Sequence, residues 1–334
     1  GHALDFINKA FEVLDLIGWE HAQDILPTVV RQLVAARGGE ESNAWRHPID
    51  LVPLLEEAFK ELPALMEQGR ARSLGIDKGA GTYPNVTALA HAILGDDPVA
   101  IVNALKDAIR GGAPPTDLSK ALAYAAALRI ARFGTANEFS DWITALHTFT
   151  YCNALHQGMK RLGDRVLRPE SCEMLRGIFH GAMSVYLDRF LNIPPARLPG
   201  ERGETLDDEP TDADELREKF LAVLDTQQKV DAAARIVARY VTLGHPIEPL
   251  IATLTRAVVR EDADFHTFQM LEAGVRQYEE WRGMEEGKNI LVAVARYLAA
   301  HSPTQRAQLQ TAQIALRLHR GEAIYEEDGR NGTP

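Results

Sequence analysis

Apolar residues recur along most of the chain at spacings of three and four, the period of a helix that buries one face. Leu4, Ile7, Phe11, Leu14 and Ile17 form the first such stripe, and Gly18 ends it. A second helix runs from Ala22 to Ala36, entered through Pro27. Pro48–Glu67 holds one or two more, broken near Pro53 and Pro63, and the Gly-rich stretch from Gly69 to Pro84 reads as a loop. The same pattern predicts helices over Val86–Leu94, Pro98–Arg110, Asp117–Phe133, Glu138–Leu162 and Pro169–Leu191. It resumes over Glu215–Leu224, Lys229–Leu243, Ile247–Val259, Phe265–Arg282, Ile290–Ala300 and Pro303–His319. Alternating β-branched runs are absent, so the expectation is an all-α, multi-helix bundle with little or no sheet.

Between the two helical runs lies Ile193–Asp214, with four prolines, two glycines and many acids, the composition of an exposed or disordered connection. The organisation that follows is a helical region over 1–192, an acidic Pro-rich linker or loop over 193–214, and a second helical region over 215–320. The second region packs on the first as one domain, and a polar tail over 321–334 frays. A helix, a Gly/Pro turn and another helix occur on each side of the linker, around Gly112-Ala-Pro-Pro and Gly244-His-Pro-Ile. Each unit leads into a helix headed by a histidine, which suggests a duplicated helical unit.

Composition narrows the function. The formal net charge is -11 with no dense Lys/Arg run, which disfavours a nucleic-acid partner. Only Cys152 and Cys172 are present, which excludes a disulfide scaffold, a Cys-rich zinc site and a self-contained iron–sulfur site, and fits a reducing cytoplasm. No apolar run reaches the roughly 18 to 20 residues of a membrane helix, and no signal peptide opens the chain. The chain starts on Gly with a helical pattern at once, as a piece of a longer polypeptide or a trimmed or tagged chain would.

Three segments align without gaps: His2-Ala-Leu-Asp-Phe-Ile-Asn8, His147-Thr-Phe-Thr-Tyr-Cys-Asn153 and His266-Thr-Phe-Gln-Met-Leu-Glu272. Each has His at i, a small residue at i+1, a large apolar one at i+2, an aromatic or Met at i+4, and Asn or Glu at i+6. His91-Ala-Ile-Leu shares the opening only. One imidazole from each of several helices can meet in a bundle core, and imidazole suits iron, zinc, copper and nickel. A ligating His also needs an acceptor on its other nitrogen. Residue i+6 sits about 240° around an ideal helix from i, so Asn8, Asn153 and Glu272 are expected to serve a neighbouring helix's histidine. Glu272 is alternatively a further ligand. The aromatic and Met positions would wall an apolar cavity. Against this stands the plainer reading, in which the histidines are satisfied core residues.

Among the other histidines, His180 lies on an apolar helix and is a reserve ligand, and His47, in a polar segment, could line a substrate entrance. His156 falls about 180° from His147 and cannot share its site. His301 and His319 read as solvated. Tyr151, beside the second motif, could position a phenolic substrate. HExxH, paired Glu-x-x-His, GxGxxG, P-loop and GxSxG signatures are missing, which disfavours metalloprotease, ferritin-like di-iron, nucleotide-dependent and serine-hydrolase chemistry.

These segments, in this order, resemble the questin oxidase-like family. The opening His2-Ala-Leu with Leu14 and Gly18, the helix around His91, Leu146-His147-Thr-Phe-Thr, Tyr186-Leu-Asp with Pro194, and Asp264-Phe-His266 carry the resemblance. It implies oxygen-dependent attack on an aromatic or polycyclic small molecule. It also implies a non-haem iron held by His2, His91, His147 and His266, with electrons from a Rieske-type ferredoxin domain or another donor outside this chain. Gln269 stands where the family often has Lys, and the acidic linker is foreign to it. The expected function is therefore a non-haem iron oxygenase or oxidase. The alternatives are a non-catalytic helical scaffold domain of a larger redox protein and a haem-binding helical protein.

Overall fold

A computed structural model describes residues 2–35, 49–74, 85–163, 172–191 and 194–323. Among them are fourteen α-helices and no strand. In chain order they are α1 (His2–Ile17), α2 (Ala22–Ala35), α3 (Val52–Ser73), α4 (Val86–Ile93), α5 (Pro98–Arg110), α6 (Pro115–Ala131) and α7 (Phe139–Leu162). Then come α8 (Cys172–Asp188), α9 (Ala213–Val223), α10 (Val230–Thr242), α11 (Ile247–Arg260), α12 (Phe265–Glu280), α13 (Glu285–Ala300) and α14 (Ala307–His319).

Two helices form the centre because their sequences are apolar or small on every side. α6 (Leu118-Ser-Lys-Ala-Leu-Ala-Tyr-Ala-Ala-Ala-Leu) and α13 (Ile290-Leu-Val-Ala-Val-Ala) bury nearly every residue, and they pack on each other. α4, α7 and α8 cover α6, while α10 and α12 cover α13. The remaining helices show one buried stripe and pack outside this layer, α3 on α5, α1 on α7 and α2 on α1. α14 buries no residue. One apolar core runs from Ala58 to Ala299, so helices from both sides of the acidic segment share it.

Local expectations differ from the structure in three places. α3 runs through Pro63 without a break and continues past Gly69. Proline removes one N–H from the helix, but buried Ala58, Leu62, Leu65 and Gly69 hold α3 on both sides of Pro63. Gly69 is a packing residue: a Cβ there would stand 2.1 Å from the carbonyl oxygen of Ile109 on α5.

The acidic segment, from residue 194, is strapped to the surface. Leu198 and Leu206 are buried, Ala196 N donates to Arg132 O at 2.7 Å, and Arg296 Nη2 donates to Arg197 O at 2.9 Å. Its acids find cations on the helices they cross, Glu201 on Arg132, Asp207 on Arg239 and Glu209 on Lys219. Composition signals exposure, but these three acids, and Glu204 and Asp208 on Arg235, have basic partners contributed from elsewhere in the chain.

The helix–turn–helix pattern recurs at α5–α6 and α10–α11, yet the packing does not. α6 lies at the centre, whereas α11 packs outside, on α9, α12 and α13. No helix among the described residues is long and apolar enough to cross a membrane, and both cysteines are free thiols.

Candidate metal centre

α1, α7 and α12 carry the three histidine motifs, and they run side by side in the same direction. At one end the rings of His2, His147 and His266 meet, with centroids 4.3, 5.2 and 5.5 Å apart. At the other end Asp15 of α1 pairs with Arg161 of α7 at 2.6 Å, and Glu280 of α12 pairs with Lys160 of α7. Parallel direction puts the motifs in register, so equal offsets share a level. Offsets i, i+3 and i+7 form the seam, as in parallel coiled coils. The first layer is His2, His147 and His266. The second is Asp5, Thr150 and Gln269, all buried. The third is Lys9, Ala154 and Ala273, whose small alanines let the helices close.

Each histidine offers one ring nitrogen to a common point, and these nitrogens lie within 4.8 Å of one another. His2 Nδ1, His147 Nε2 and His266 Nε2 are buried and have no hydrogen-bond partner. A metal bonded at about 2.1 Å asks for roughly 3.0–3.6 Å between its nitrogen ligands, a gap that small ring rotations close. Burial, reinforced by the neighbouring rings, pushes His147 down to about 4 and His2 below the usual imidazole range. Both are neutral at physiological pH, the form in which imidazole binds a metal. α1 and α12 both begin at this layer, so the positive ends of their dipoles face it and disfavour imidazolium. The donor set therefore fits a borderline transition ion with open positions.

His266 has the outer partner that metal-binding imidazoles use. Its Nδ1 lies 2.9 Å from Oδ2 of Asp264, whose other oxygen accepts from Thr267 N at 3.1 Å. Burial alone would raise the Asp264 carboxyl, but these hydrogen bonds outweigh it and hold the group below its ordinary value. Asp264 is thus ionised and fixes the His266 tautomer with Nε2 free. Asp264→Asn is expected to weaken metal binding by about 10- to 100-fold while leaving the helical circular dichroism spectrum unchanged. Titration of the purified variant with Fe2+ checks this.

Of the four proposed ligands, the structure brings together His2, His147 and His266. His91 lies exposed on α4, outside this group, because α4 buries Leu89, Ala90 and Ile93 against α5, α6 and α8 and turns position 91 outward. His180 is exposed on α8 with its ring 5.3 Å from Phe59, also outside the group. His47 lies outside the described residues.

The i+6 residues flank the seam one level down rather than holding imidazoles of the triad. Asn8 donates to Glu12 at 2.9 Å, Asn153 accepts from Gln277 at 2.8 Å, and Glu272 pairs with Lys9 and with Arg276. Tyr151 turns toward α8, donating to Gly177 O at 3.0 Å. Of the i+4 residues, Phe6 stands beside the triad, 5.7 Å from His2. The second aromatic wall is Phe265, whose ring lies 3.9 Å from that of His266.

His301, expected in solvent, stacks on Tyr297 at 4.0 Å and donates from Nδ1 to Tyr297 O. It lines a cavity of about 210 Å³ together with Phe139, Asp264, Thr267 and Leu298. The second layer, Asp5, Thr150 and Gln269, was not singled out by the motif, because its three residue types differ. Only the parallel register makes them one set. No protein-family model, curated protein or solved structure matches the chain.

Proposed function

We propose that the chain is a non-haem iron oxygenase or oxidase acting on an aromatic small molecule, with iron held by His2, His147 and His266. One observation carries the proposal: three buried imidazole nitrogens without partners, from three helices, point to one place. Partnerless polar atoms are costly in a protein interior, and a single cation compensates all three. Iron bound there supplies the oxygen and redox chemistry. The residues of the chain hold it, keep the His2 and His147 imidazoles neutral and shield the site with Phe6 and Phe265. Oxygen chemistry and an aromatic substrate come from the resemblance to questin oxidase-like proteins and agree with these aromatic walls.

The cavity behind Asp264 is lined by Asp264 and Thr267 but by none of the three histidines, so in this proposal it holds a substrate beside the outer partner of His266. At about 210 Å³ it lies below the usual range of ligand pockets, about 300 Å³ upward, which favours a single ring over a polycyclic skeleton. Electrons come from a separate donor, a Rieske-type ferredoxin domain or its equivalent, in a reducing compartment such as the cytoplasm. A haem is a poorer fit. Three rings within 5.5 Å of one another leave no slot for a macrocycle between two of them.

The test is elemental analysis of protein purified without chelators or added histidines, with oxygen consumption measured on single-ring phenols in the presence of a reductant. Near-stoichiometric iron and phenol-dependent oxygen uptake are expected. A metal-free protein that refuses added Fe2+ would return the histidines to ordinary core packing and favour the scaffold reading.

A further inference from the structure

We infer that Asp5 is held as a neutral carboxylic acid in a cyclic hydrogen-bonded pair with Gln269, and that this pair positions α1 against α12 so that His2 reaches His266. The inference rests on the proposed metal site only for its consequence; the pair itself is read from the second layer of the seam.

Asp5 is fully buried and Gln269 nearly so. Gln269 Nε2 donates to Asp5 Oδ2. The other atom of each group, Asp5 Oδ1 and Gln269 Oε1, is buried and has no partner. Both are acceptors when Asp5 is ionised, so neither can satisfy the other. Turning the Gln269 amide over moves the problem without solving it, because the pair then has no donor facing Oδ2.

The charged groups around the pair do not supply a donor. On α1, Lys9 directs two of its three N–H groups at Glu12 and at Glu272 of α12, and none is bonded to Asp5 Oδ1. On α12, Arg276 is bound to Glu272. The three histidines lie one layer above, on α1, α7 and α12. From α7, Thr150 directs its hydroxyl at His147 O, 3.4 Å away. One proton on Asp5 Oδ1, donated to Gln269 Oε1, partners both orphan atoms and closes an acid–amide ring with two hydrogen bonds. Burial acts in the same direction, pushing the Asp5 carboxyl up to about 6, and an O–H···O bond made only by the acid raises it further.

The pair has a positional consequence. It stands three residues after His2 on α1 and three after His266 on α12, so it fixes the relative height of the two rings. A residue that only filled space would not need both hydrogen-bonding atoms. Asn in place of Asp5 keeps them, since an amide–amide ring has the same two bonds and never ionises.

The experiment combines an infrared difference spectrum with Fe2+ titration of Asp5→Asn and Asp5→Ala. At pH 6 exposed carboxyls, with ordinary values near 4, are ionised. Asp188, another buried acid, raised to about 7, is common to both proteins and cancels in the difference. The expected result is a protonated-carboxyl carbonyl band present in the unmodified protein and missing from Asp5→Asn. Asp5→Asn should retain Fe2+ affinity within about twofold and melt at or above the unmodified protein, whereas Asp5→Ala should lose about tenfold in affinity and melt lower. No lost band, or an Asn variant as weak as the Ala variant, overturns the inference. If the unmodified protein takes up no Fe2+, the proposed function falls, and the band and the order of melting temperatures still decide on the pair.

Discussion

His147→Ala is expected to bind Fe2+ on the order of 100-fold or more weakly than the unmodified protein, with no loss of helix content. Replacing an outer partner of a ligand already costs about 10- to 100-fold, and under the proposed function His147 would touch the metal itself. Its Nε2 is buried and unpaired, and its ring lies closest to that of His2, at 4.3 Å. Truncation removes an unsatisfied nitrogen rather than a made hydrogen bond, so the fold loses little. The metal-free variant should melt close to the metal-free unmodified protein, and the separation should appear only when Fe2+ is added, because an ion that binds the folded state alone stabilises it by mass action. A second arm fixes specificity: His91→Ala, at an exposed position of α4, should bind Fe2+ as the unmodified protein does. Equal losses at His91 and His147 would contradict the three-histidine arrangement.

Gly69→Ala is the substitution expected to cost most in stability. The added Cβ would meet Ile109 O at 2.1 Å, and the obstacle is backbone inside α5, which no side-chain rotation relieves. α3 must then move off α5, and the overpacking cost is expected at about 3 kcal/mol or more, a drop of roughly 6 °C or more in melting temperature. Gly158→Ala on α7 is the control. Its Cβ would meet only Met174 Cε, at 3.4 Å, and alanine is the better helix former by about 1 kcal/mol. It should melt at or above the unmodified protein. If both variants melt together, α3 and α5 do not approach as closely as the structure has them.

Both predictions turn on what a linear pattern can carry. The histidine motif was visible because identical residue types repeat at identical offsets, and a repeat of that kind survives without knowledge of the fold. What the motif could not carry was direction. Residues i+6 were assigned to neighbouring imidazoles on angle alone, whereas parallel packing sets equal offsets level and gives that neighbourhood to i+3. Asp5, Thr150 and Gln269 share no chemistry by type and become a set only when three helices stand in register. The Asp264 carboxylate that orients His266 sits ahead of its helix, outside the repeat. His91 shows the converse error: it shares the opening of the motif, but its helix turns that position to solvent.

The sequence by itself determined that this protein is all-helical, where most of its helices run, and which three helices carry the full repeated histidine motif. Periodicity is a property of one helix at a time, so it needs no partner to be read. The tertiary structure alone decided that α3 passes through Pro63 and Gly69, that the acidic segment is tied down by Arg132, Arg239 and Arg296, and that three histidines converge while a fourth does not. Each of those depends on a group supplied from far along the chain: a carbonyl on α5, a guanidinium on another helix, an imidazole on a parallel neighbour. Such pairings are set by packing of the whole core, which no local pattern contains.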